Sequence, residues 1–246
     1  MLVVVFFFLI SCKEPENEGT YTYTSNSSGN KPLPGSPYGY EMWTDGGNNN
    51  KLIWYGPDDR GGAAFRAEWN NPNDFLGRVG YYWGNGDNYA SYGNIFCDFE
   101  YTRSADKTAG PYSYIGIYGW SRNPLVEYYI VEDWFSNNYY NTFNPVGKDT
   151  IGVNHHGTFT VDDSVYYIYK KDRTGPSIDG QKTFTQYFNV RQTPRKSGTI
   201  SITEHFKKWE ELGMNLGNMY ECKFLVEAGG GTGWFEASYL SFSRDD

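Results

Sequence analysis

The chain has 246 residues, a formal net charge of −8, and 39% hydrophobic and 19% aromatic residues. So many rings rule out a disordered chain, and the length leaves room for one large all-β domain or two small ones. An acidic balance without a basic cluster argues against nucleic acid as a partner, because phosphate binding needs a positive surface. A neutral polymer, which asks for ring stacking and hydrogen bonds, stays open.

In chain order, Leu2 to Ile10 is an unbroken apolar run too short to span a bilayer. It ends in Leu9-Ile10-Ser11-Cys12, which resembles a bacterial lipoprotein cleavage site. Residues 1–11 are thus expected as a signal peptide and Cys12 as a lipidated first residue anchoring the protein to a membrane. Export to the cell surface or periplasm follows, with plain secretion as the alternative. Lys13 to Ser36 is polar and almost free of aliphatics, so residues 12–36 read as a flexible tether before a single domain over 37–246.

From about Tyr38 strand-like runs recur between Gly, Asn, Asp and Pro turns: Ala63 to Trp69, Ile95 to Thr102, Tyr112 to Trp120, Val126 to Glu132, Ser164 to Lys170, Thr183 to Gln192, Gly198 to Thr203, Tyr220 to Ala228 and Trp234 to Phe242. Many short strands with aromatic alternation predict an all-β jelly roll or sandwich of two packed antiparallel sheets. One helix interrupts them, Thr203 to Gly213, with Thr203 as the capping residue, Phe206 and Trp209 as its packing face and a terminal Gly. Cys97 and Cys222 fall on the apolar phase of their strands, as a disulfide or as two buried thiols. Adjacent His155 and His156 would point to opposite strand faces, so no metal is expected; His205 reads as structural.

Two carboxylates stand out. In Tyr118 to Glu132 the turn Arg122-Asn123-Pro124 leads into a strand on which Leu125, Glu127, Tyr129 and Val131 share a face. A carboxylate among tyrosines is costly to bury unless something uses it, although a solvated strand face would also hold one. In Tyr220 to Gly231, Lys223, Leu225 and Glu227 share a face, and the glycines after Glu227 leave room for a bulky ligand.

Tyr118 to Glu132 closely resembles the nucleophile signature of family eleven of the glycoside hydrolases, the compact β-jelly-roll xylanases. Three further segments match in order: Trp43-Thr44-Asp45-Gly46-Gly47 in the N-terminal strand, Pro176-Ser177-Ile178-Asp179-Gly180 with Thr183 to Gln192 at the thumb loop, and Gly213-Met214-Asn215-Leu216-Gly217 at the helix exit. The resemblance covers Tyr38 to the C-terminus. It implies a retaining endo-β-1,4-xylanase acting as a monomer on xylan and xylo-oligosaccharides without a cofactor. Glu127 would be the nucleophile and Glu227 the acid/base. Trp43 would stack on a sugar, Tyr118 and Tyr129 would bond the sugar or the nucleophile, and Arg173, Pro176 and Gln186 would line the cleft at the thumb. Asp74, in Trp69 to Phe75, would lie beside Glu227, where family members with Asp are associated with acidic optima and those with Asn with neutral or alkaline ones. The chain departs from the family in three places. It has Val226-Glu227-Ala228-Gly229 without the usual following Tyr, a longer stretch from Tyr81 to Asn94, and one residue fewer between Arg173 and Pro176.

A non-catalytic carbohydrate-binding module would need surface rings but no carboxylate pair, so the two Glu motifs favour the enzyme. A glucanase on a related jelly roll is the other alternative, and the Pro-Ser-Ile thumb tip favours xylan.

Overall fold

The computed structural model describes residues 20–29, 36–104, 113–135 and 154–245. The leader and Cys12 lie outside the described residues. The strands are β1 (Tyr21–Tyr23), β2 (Ser27–Gly29), β3 (Tyr38–Gly46), β4 (Lys51–Trp54), β5 (Phe65–Asn70), β6 (Pro72–Tyr82), β7 (Asn94–Arg103), β8 (Tyr114–Arg122), β9 (Val126–Trp134), β10 (Asn154–Val161), β11 (Ser164–Ser177), β12 (Gly180–Arg191), β13 (Ser197–Ser201), β14 (Asn218–Ala228) and β15 (Thr232–Asp245), with helix α1 (Ile202–Glu211). They form two sheets, ordered β1-β4-β5-β15-β7-β13 and β10-β11-β12-β9-β8-β14-β6-β3-β2.

The expected jelly roll is therefore present, with one pairing that differs from the antiparallel rule. β12 runs parallel to β9, with Gln186 opposite Glu127. After β9 the chain returns at the sheet edge as β10 and winds inward through β11, so β12 reaches β9 in the same direction. Parallel neighbours need a long crossover of this kind.

The stretch expected as a tether is not wholly one. β1 pairs with β4 and β2 with β3, so it contributes to both sheets. Its two tyrosines anchor it: Tyr23 stacks on Tyr40 with ring centroids 3.8 Å apart, and Tyr21 packs against Trp54 at 5.4 Å. Composition hides this, because two rings are diluted among polar residues.

The larger sheet has an apolar layer on each face. Facing the smaller sheet, Val126, Tyr128 and Ile130 of β9 join Ile115 and Ile117 of β8 and Phe224 and Val226 of β14 in the main core. On the opposite face Tyr129 and Val131 join Tyr118, Trp120, Leu76, Leu225, Phe184 and Phe188 in a second cluster. Strand alternation produces this division and fixes which side chains meet a ligand. Cys97 and Cys222 are both buried free thiols.

Helix α1 begins one residue before the expected Thr203, with Ser201 at the cap and no side-chain cap bond. Thr203 is instead buried and its Oγ1 accepts from Ile95 N at 2.8 Å, tying the helix to β7. Trp209 Nε1 donates to Asn189 Oδ1 at 2.8 Å, and Asn189 Nδ2 lies 2.9 Å from His205 Nδ1. Burial lowers the pKa of His205 to about 3, so it is a neutral structural residue. β6 went unexpected because its glycines interrupt the strand pattern. Gly80 is needed for close approach, since a Cβ there would lie 2.6 Å from Lys223 Cα on β14.

Candidate active site

The outer face of the larger sheet and the β11–β12 hairpin enclose a cleft of about 280 Å³. Among its lining residues are Trp43, Asp74, Tyr118, Glu127, Tyr129, Arg173, Pro176 and Glu227, which are eight of the nine non-lipidated site residues expected from sequence. The hairpin is paired along its whole length, from Tyr166 opposite Arg191 to Ser177 opposite Gly180, so it carries the tip residues Pro176, Ser177 and Ile178 to the cleft.

Glu127 and Glu227 are each only 5% exposed. They sit on β9 and β14, separated in the sheet by β8. Their surroundings differ. Glu127 Oε1 accepts from Tyr118 Oη at 2.7 Å and from Tyr129 Oη at 3.2 Å, and Oε2 accepts from Gln186 Nε2 at 2.6 Å. Trp120 Nε1 donates in turn to Tyr118 Oη at 2.5 Å. Burial pushes the Glu127 pKa up, and the Tyr118 and Gln186 bonds, the Arg173 charge and the Tyr129 bond oppose it. Three donors aimed at one carboxylate favour its charged form.

Glu227 has no such support. Its Oε2 is buried without a hydrogen-bond partner among the described residues. Burial raises its pKa well above the ordinary carboxylate range, and the charges of Asp74 and Glu127 add to the rise. Asp74 is two residues from Leu76 on β6, and Leu76 is the cross-strand partner of Glu227, so Asp74 is its diagonal neighbour. Burial pushes Asp74 up to about 7, against the pull of Arg173 and the Phe75 backbone N–H. Asp74 Oδ1 is also buried and unpartnered. Of these three carboxyls, one is arranged to ionise and two to keep protons.

The family model for glycosyl hydrolases family 11 matches residues 36–238. The chain belongs to this family. It is 46% identical over 238 residues to endo-1,4-beta-xylanase C of Fibrobacter succinogenes, covering 95% of this chain and 36% of that protein. It is 40% identical over 207 residues to endo-1,4-beta-xylanase A of Bacillus pumilus, covering 84% and 79%. The chain spans about a third of the Fibrobacter relative's length. Among solved structures, the wild-type ENZbleach xylanase has a TM-score of 0.83 and 60% identity, covering 93% of this chain and 88% of that one.

Within this family 11 framework, Trp43 is 37% exposed on the cleft wall, free to meet a ring. Arg173 lines the cleft, and its charge acts on Glu127, Glu227 and Asp74. Gln186 reaches the site through Glu127. It is buried and donates directly to the cleft carboxylate Glu127, its parallel partner on β9. The tyrosines bond the nucleophile candidate rather than open space.

Two residues were missed. Arg122 donates from Nη2 to Asp179 Oδ1 at 2.7 Å and from Nη1 to Gly84 O and Asn85 Oδ1 at 2.9 Å each. It so joins the thumb tip to the long Tyr81–Asn94 stretch and stacks over Tyr220 at 4.5 Å. Arg78 lies 4.5 Å from the Tyr118 ring centroid. Its alternation with Asp74 and Leu76 could have flagged it had β6 been recognised. No group of three or more potential metal ligands occurs among the described residues.

Proposed function

We propose that this chain is a retaining endo-β-1,4-xylanase. The observation that carries the reading is the asymmetry of the carboxylates: Glu127 accepts three hydrogen bonds, whereas Glu227 is buried beside Asp74 with an orphan oxygen. Double displacement needs this division of labour. The ionised Glu127 attacks the anomeric carbon while Glu227 gives its proton to the departing glycosidic oxygen, breaking the C–O bond and leaving a glycosyl ester on Glu127. Glu227, now a carboxylate, takes a proton from water as that water displaces Glu127. Glu227 then regains the proton and Glu127 the negative charge.

Asp74 shares protons with Glu227 in this reading. While protonated it can donate to Glu227 and strengthen it as an acid, which places the optimum on the acidic side. The names of the relatives, endo-1,4-beta-xylanases, support xylan as the substrate, as does the Pro176-Ser177-Ile178 tip on the cleft. The test is reducing-sugar release from xylan against soluble cellulose, with the first-formed anomer followed by NMR. Release from xylan with the β anomer appearing first is expected. An initial α product overturns retention, and equal release from cellulose overturns the substrate. Export with lipidation at Cys12 completes the proposal. The wild type made with its own leader should partition with membranes, and Cys12→Ser should free it; a soluble wild type contradicts the anchor.

A further inference from the structure

The cleft face carries a second charged cluster that the mechanism above does not use. Arg78 Nη2 lies 2.8 Å from Glu41 Oε2 and 3.2 Å from Glu221 Oε1, and Glu221 Oε2 lies 2.7 Å from Lys223 Nζ. The side chains of Glu221 and Lys223 are fully buried and that of Arg78 nearly so, while Glu41 keeps 20% exposure at the outer end. Buried ion pairs stabilise a fold no better than apolar side chains of similar volume. As a way to fill the floor of a sheet, the cluster is a poor choice; as a way to hold Glu41 still, it is a good one.

Glu41 lines the cleft together with Trp43. The two are two residues apart on β3 and so share a face. Among the described residues only Arg78 donates to Glu41, and it does so at Oε2, which leaves Oε1 for a ligand. The register locates that ligand. Trp43 is opposite Leu76, itself opposite Glu227, whereas Glu41 is opposite Arg78, one step further from the acid/base. Two residues of strand are about 6.8 Å, so Glu41 addresses a part of the sugar chain displaced from the bond being cut.

We infer that Glu41, held by Arg78, is a specificity-determining residue: it accepts a hydrogen bond from a ring hydroxyl of the backbone sugar lying against Trp43, and so selects an undecorated ring there. The inference rests on the xylanase reading. Each internal sugar of a β-1,4-xylan chain offers two free ring hydroxyls. An ester or glycosidic branch at the bonded oxygen removes the donor. A uronic-acid branch also brings a second negative charge towards Glu41, where the four charges of the cluster already cancel one another.

The test compares wild type, Glu41→Gln and Glu41→Ala on linear xylohexaose and on the same chain bearing one uronic-acid branch. Binding of linear xylohexaose is measured calorimetrically with each Glu41 variant in a Glu127→Ala background. Losing a charge-assisted bond should raise KM for the linear substrate about tenfold with kcat little changed. It should weaken Kd by a similar factor and narrow the preference for linear over branched chains. Glu204→Gln, on the exposed side of α1, should change none of these, and the Tm of Glu41→Gln confirms folding. Unchanged KM, Kd and preference in Glu41→Gln, with the wild type still cutting linear chains, overturn the role of Glu41 alone. A wild type that neither cuts nor binds them overturns the xylanase reading as well.

Discussion

Glu127 and Glu132 stand five residues apart on β9, both buried, yet on opposite faces of the same sheet. Glu132 faces inward, where Tyr166 Oη donates to Oε1 at 2.5 Å, Arg195 Nε donates to Oε2 and Arg191 Nη1 lies 3.8 Å away. Two arginines compensate it. The cleft side is different: among the described residues no guanidinium makes an ion pair with Glu127, and Glu227 and Asp74 keep orphan oxygens. Burial raises the pKa on both faces. Burial alone therefore does not separate a structural carboxylate from those proposed to be catalytic. The distinction lies in how completely the charged form is compensated, and incomplete compensation is what a group needs in order to exchange protons or attack carbon.

The largest effects should separate the two faces. Glu127→Ala and Glu227→Ala should each lose at least about a thousandfold in kcat on xylan while their Tm stays close to wild type. Glu132→Ala takes the shared carboxylate from buried Arg191 and partly buried Arg195 and should cost about 3 kcal/mol of stability, read by denaturant unfolding, with the surviving folded fraction still active. An active Glu127→Ala enzyme, or an undisturbed Glu132→Ala fold, breaks the comparison. Azide should partly rescue Glu227→Ala on an activated aryl glycoside and give a β-glycosyl azide; an α-azide would assign the rescue to the nucleophile instead.

A smaller effect sharpens it. Tyr118→Phe removes a donor that holds the Glu127 pKa down. The pKa should rise, so the acid limb of kcat/KM should move to higher pH by about one unit. An unmoved acid limb would mean that Glu127 is not the ionising group.

The subtlest change is Asp74→Asn. If the active form needs both Asp74 and Glu227 protonated, activity ends at the first ionisation of the pair, which lies below the ionisation of Glu227 acting alone. The mutant's basic limb should then move up, carrying the optimum with it by about a unit. If Asp74 acted only as a negative charge lifting Glu227, its removal would move that limb down. The kcat/KM profile of both enzymes on one soluble substrate decides the direction.

Much of this was legible in sequence. Alternation placed Glu127 with Tyr129 and Glu227 with Leu225 on a common face, and the turn-punctuated runs marked most strands. What was missed has physical reasons. β6 holds Gly77, packed under the Phe75 and Leu52 side chains, and Gly80, where β14 crowds in, so its apolar pattern is broken and Arg78 went unseen. The bond from Gln186 to Glu127 was not legible, because nothing local reveals that β12 lies parallel to β9. β1 and β2 depend on partners far along the chain, Trp54 and Tyr40, which composition cannot register.

The central claim is that Glu127 gives up its proton before Glu227. Carbon-13 labelling of the glutamate side-chain carboxyls, with the two signals assigned by Glu127→Gln and Glu227→Gln, lets both be titrated by NMR in the intact enzyme. The account predicts that Glu127 ionises at the lower pH, and that Glu227 stays protonated beyond it and shows a second inflection as Asp74 titrates near about 7. A Glu227 that ionises first, or at the pH of an exposed carboxylate, would contradict it.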